Sequence, residues 1–167
     1  MKSDKKNLIL KSSLKRMHQI WKAVKENKLD DLDDADALLA KIMKEHEDEF
    51  YNEFEFADIL DDFELDFVSI ANPFLHIVIH SIIEKQLRGK EPSEVYRFFN
   101  AMRNKGADRH EAIHMIATIF THFIFQELKD KVPFDEAGYR KVLKSYRDKK
   151  PENVWTALEK GLDEFSG

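Results

Sequence analysis

An all-α fold, a single-domain bundle of six or seven helices over residues 1–167, is what this chain predicts, on three observations. Only five Gly and four Pro interrupt 167 residues. Apolar residues recur at steps of three and four, with few of the strict alternations that mark strands. Helix start and stop residues punctuate that pattern at regular intervals. At 43% hydrophobic content a chain of this length can bury one sizeable core without disulfides.

In the first helix, over roughly 5–25, Leu10, Leu14, Met17, Trp21 and Val24 form one apolar stripe. A second helix runs from Asp34 to about His46, with acids near its positive end and Leu38, Leu39, Ile42 and Met43 facing inward. Between Glu47 and Phe67 the pattern changes to aromatics interleaved with acids. This stretch predicts either one short helix around 53–60 or a long connecting strap, and long connections are often functional.

Asn72-Pro73 reads as an N-cap followed by proline at the first helical position, where a missing N–H costs nothing. That helix is expected to run to Arg88 and stop at Gly89. Pro92 opens the next, which carries Val95, Phe98, Phe99 and Met102 and stops at Gly106. Asp108 caps a long helix reaching about Lys129, free of Asp, Glu, Lys and Arg from Ala112 to Gln126 and therefore the natural central helix. Pro133 with Asp135 starts another, and Pro151 a last one with Val154, Trp155, Leu158 and Leu162 on one stripe.

The net charge is −5, unevenly spread. Residues 1–28 carry nine Lys and Arg against two acids, and residues 30–66 carry sixteen acids against two Lys. The simplest reading is two solvated faces lying against each other. A negative total argues against nucleic acid as a partner. No apolar run reaches membrane-spanning length or forms a signal-peptide core, so no membrane partner is expected. Cysteine is absent, which excludes thiolate chemistry and makes the cytoplasm the default location.

The least charged segments hold two His-x-x-x-His pairs, His76/His80 and His110/His114. Residues four apart on a helix project from one face, so both imidazoles of a pair can reach one ion. Seven histidines placed at random in this length would give about a quarter of one such pair, and there are two. If the helices beginning at Pro73, Pro92 and about Arg109 alternate up, down and up, the first and third are parallel and their histidine pairs lie at nearly equal depth. His46, at the end of the second helix, can reach the same end if its helix runs antiparallel. A carboxylate from Glu84, Glu111, Glu47 or Glu49 could add an oxygen ligand. An all-nitrogen set suits zinc, iron, nickel or manganese rather than calcium or magnesium, and zinc is the first choice because it needs no redox chemistry.

Two further readings stand beside this metal site. His110-Glu111-Ala112-Ile113-His114 satisfies the H-E-x-x-H pattern of zinc hydrolases, in which Glu111 would be the catalytic base. Its third ligand is the difficulty: His122 lies eight residues past His114, about 12 Å along a helix axis. Alternatively the protein is a metal-free interaction module whose acidic-aromatic strap or basic first helix docks a protein partner. The thirteen Phe are read as core, and His18 and His122 as structural.

The run Asn72-Pro73-Phe74-Leu75-His76 with His80, then His110 with His114, then Pro133-Phe134-Asp135-Glu136 with Tyr139 and Leu143, resembles the bacterial domain of unknown function family 1841. The likeness covers roughly Leu14 to Tyr146. Phe50 stands where that family often has a second histidine after the first, and Ile113 where it often has an acid. The resemblance implies a small bacterial cytoplasmic protein and supplies no activity.

Overall fold

The computed structural model describes residues 2–57 and 72–162, with side chains from residue 13 onward. Among them are eight α-helices and no strand: α1 (Lys2–Glu26), α2 (Asp34–Glu45), α3 (Glu47–Glu55), α4 (Pro73–Gly89), α5 (Ser93–Asn104), α6 (Arg109–Asp130), α7 (Glu136–Tyr146) and α8 (Pro151–Glu159). The fold is all-α, with slightly more helices than the sequence pattern predicts. The addition is α3. Its first turn holds Glu47, Asp48 and Glu49, which favour the positive end of a helix and start it well before residue 53. Residues 58–67 of the expected strap lie outside the described residues. The chain divides into two compact units, 1–81 and 82–167.

In the first unit α1 packs on α2 and α3. Its core joins Leu14, Met17, Ile20 and Trp21 of α1 to Leu38, Leu39, Ile42 and Met43 of α2, with Phe54, Phe74 and Ile77. The three- and four-residue spacing read from the sequence is the spacing that buries these side chains. Asp33 caps α2, its side chain accepting from the Asp36 N–H. The end of α1 is a Schellman turn: Asn27 takes a left-handed φ of 55°, and the Lys28 N–H reaches the Ala23 carbonyl at 2.9 Å.

The basic and acidic stretches do meet. Arg16 Nε donates to Asp36 at 2.8 Å, and Lys25 Nζ to Glu55 at 2.7 Å. Glu55 also accepts from the indole N–H of the fully buried Trp21 at 2.8 Å. The hydrogen bond from Lys25, and then that from Trp21, hold the Glu55 carboxyl below its usual range. A carboxyl depressed on folding contributes stability that is complete above its unfolded value of about 4.3 and is lost as pH falls through its lower folded value. The prediction is that Glu55→Gln loses less stability than the parent chain on going from about pH 6 to about pH 3. Denaturant titrations at the two pH values check this, and equal losses would show that Glu55 does not carry the acid sensitivity.

In the second unit α6 packs against α5, α7 and α8, and α5 against α7. Ile113, Ile116, Ile119, Phe120 and Phe123 of α6 are buried with Val95, Phe98 and Met102 of α5 and Tyr139, Val142 and Leu143 of α7. Thus α6 is the central helix of this unit, as its uncharged run predicts. Asp108 caps it, accepting from the Glu111 N–H at 2.8 Å. Burial pushes the Tyr139 hydroxyl well above the usual phenol value, and that hydroxyl donates to the Gln86 side chain at 2.9 Å. Gly106, with φ of 99°, ends α5 as expected, whereas α4 continues through Gly89 and its left-handed residue is Lys90. The turn hydrogen bond from the Glu91 N–H to the Gln86 carbonyl at 3.1 Å fixes that register one residue later than the glycine suggests.

Candidate metal centre

His46 is both the last residue of the α2 turn and the residue that caps α3. Its backbone N–H bonds back to the Ile42 and Met43 carbonyls, so two helices fix one Cα. The ring is 2% exposed, and its Nδ1 lies 2.8 Å from the Ile42 carbonyl oxygen. A carbonyl can only accept, so Nδ1 carries the proton and the Nε2 lone pair is directed away from the backbone. This is the arrangement by which proteins orient imidazoles that bind metals.

The start of α4 is set as the sequence requires. Asn72 Oδ1 accepts from the Phe74 and Leu75 N–H groups at 2.9 and 3.2 Å, with Pro73 at the first helical position. His76 and His80, one turn apart, then share a face with ring centroids 4.5 Å apart and planes inclined by 29°. The His46 ring stands edge-on to both, 4.8 Å from His76 and 4.7 Å from His80. His46 Nε2 and His76 Nε2 are 3.1 Å apart. Nitrogens bound to one tetrahedral zinc at the usual bond length lie about 3.3 Å apart, so the spacing is close to that of two ligands of one ion. Each of the three residues offers a ring nitrogen within 4.8 Å of the others.

Phe50 forms a wall of this cluster. At this residue the α3 backbone leaves helical geometry, with φ −123° and ψ 20°. Its ring lies nearly parallel to His46 at 6.1 Å and edge-on to His76 at 5.4 Å. Apolar spacing does not mark Phe50 apart from twelve other phenylalanines, because its role as a wall depends on that local kink.

The second unit places the other expected residues as follows. His110 and His114 have ring centroids 4.2 Å apart on α6, His110 exposed and His114 half-buried. Glu111 accepts from the Trp155 indole N–H at 3.1 Å, a bond that ties α6 to α8 and engages one oxygen of the H-E-x-x-H carboxylate. Glu84 is buried and receives both terminal nitrogens of Arg109, each at 2.7 Å, so both of its oxygens are engaged by a guanidinium. Neither pairing is legible in the sequence, since the partners lie 25 and 44 residues apart with no periodic signal.

Fold and cluster together define a helical protein in which a buried imidazole from a helix junction meets an H-x-x-x-H pair at the start of the next long helix. The model of the domain of unknown function DUF1841 matches residues 11–145, and the chain belongs to that family. No curated protein and no solved structure matches it. Among the described residues no helix is long and apolar enough to cross a membrane.

Proposed function

We propose that this chain is a metal-binding helical protein whose centre holds one transition-metal ion through His46, His76 and His80, with zinc the first choice. The observation that carries the reading is the closure of three ring nitrogens to within 4.8 Å, one of them on an imidazole whose Nδ1 already donates to a backbone carbonyl. Imidazole ligands exclude a preference for calcium or magnesium and leave iron, manganese and nickel as further candidates. From the sequence pairing of the two H-x-x-x-H segments, His114 is proposed as a fourth ligand. If it binds zinc with the other three, the ion is four-coordinate and its role structural; if a position stays open, hydrolytic chemistry on a bound water becomes available.

Elemental analysis of tag-free protein purified without added metal tests this. The expected result is close to one metal ion per chain, lost in His76→Ala and reduced in His114→Ala. Absence of metal, with none taken up on titration above the histidine pKa, would overturn the proposal. Full retention in His114→Ala would confine the ligands to the first unit.

A further inference from the structure

We infer that the ion at this centre takes a small oxyanion, of the carboxylate or phosphate kind, as an exogenous ligand, an inference that rests on the metal-binding reading above. The starting point is charge. The donors that His46, His76 and His80 supply are neutral imidazoles, so a divalent ion bound by them keeps its whole double charge. His46 and His80 are each 2% exposed, and Phe50 walls one side, so that charge sits where water compensates it poorly. A fourth imidazole would not change the sum; without it the anion takes the fourth position, and with it the anion enters as a fifth ligand.

The helix ends at the centre act in the same direction. Among the described residues of the first unit, α3 and α4 begin here, at Glu47 and Pro73, and α2 ends here, at Glu45. Two positive dipole ends against one negative end leave a surplus that favours an anion. The acids closest in sequence to His46 are Glu45, which is exposed, and those of the first α3 turn. Asp48 and Glu49 are exposed, where solvent screens them, and Glu47 is half-buried. A small anion bonded directly to the ion neutralises charge at the shortest possible distance, and an oxygen donor is compatible with zinc or cobalt beside imidazole nitrogens. A bulky ligand is disfavoured because the Phe50 ring stands 5.4 Å from His76.

The test uses the full chain, stripped with chelator and loaded with cobalt(II), whose visible spectrum reports the ligands and geometry around the ion. Acetate, bicarbonate and inorganic phosphate are then titrated separately in a non-coordinating buffer. The expected result is one cobalt per chain and a saturable spectral change with one anion per cobalt, both lost in His76→Ala. A response to acetate and bicarbonate but not phosphate, or the reverse, supports the inference and names the anion class. Stoichiometric cobalt with a spectrum that none of the three anions alters would overturn the inference while leaving the metal reading intact. If the spectrum becomes anion-sensitive only in Glu47→Gln, an internal carboxylate holds the position and the inference likewise falls. Failure of cobalt to bind overturns both.

Discussion

If the proposed centre binds zinc in the native state and the unfolded chain does not, zinc added to the chelator-stripped chain at about a thousandfold excess over its dissociation constant is expected to stabilise the fold by about 4 kcal/mol. For a protein of this size that corresponds to a rise in melting temperature of about 8–16 °C. His76→Ala and His80→Ala are each expected to remove most of the rise. The informative quantity is the difference between metal-free and metal-loaded melting for each variant, since deleting a buried ring such as His80 also destabilises the metal-free protein by leaving a cavity. A rise that survives in both variants would place the zinc elsewhere on the molecule, and no rise in the parent chain would remove the zinc assignment.

Trp21→Ala is expected to cost about 3–5 kcal/mol, the range for emptying a fully buried aromatic site. Trp21 packs edge-on against Tyr51 at 5.7 Å and tilted against Phe54 at 5.3 Å, and its indole N–H holds Glu55. All three partners belong to α3, the helix that His46 caps, so the loss falls on the element that fixes His46. Trp21→Phe keeps most of the packing and gives up the hydrogen bond to Glu55, so its cost should fall well below that of the alanine variant. Urea unfolding of the two variants measures this. A cost below about 1 kcal/mol for the alanine variant would mean that α3 is not held through Trp21.

Helices were legible wherever apolar spacing and a cap coincided. Asp33, Asn72, Asp108 and Asp135 precede the helices whose N–H groups their side chains accept, and Pro151 begins the last helix. Those signals are local, so a sequence displays them. The α3 helix was obscured because its aromatics and acids do not follow one face: Phe54 is buried while Tyr51 and Phe56 are about half exposed, at 44% and 49%. Within the site, the shared face of His76 and His80 follows from helical periodicity alone. The orientation of the His46 ring could not be read, because it depends on a hydrogen bond to Ile42 and on the kink at Phe50. The engagements of Glu84 by Arg109 and of Glu111 by Trp155 were hidden for a related reason: they are contacts between helices, decided by packing rather than by spacing.

The meeting of His46 and His76 joins positions thirty residues apart in the chain. Contacts at such separation require a long loop to close, and they form late, after neighbouring helical turns have assembled. An ion bridging the two rings would therefore be largely absent from the folding transition state. Its stabilisation should appear as a slower unfolding rate, with refolding little changed, in stopped-flow traces recorded with and without zinc. In that case the metal governs how long the native molecule persists rather than how quickly it is made.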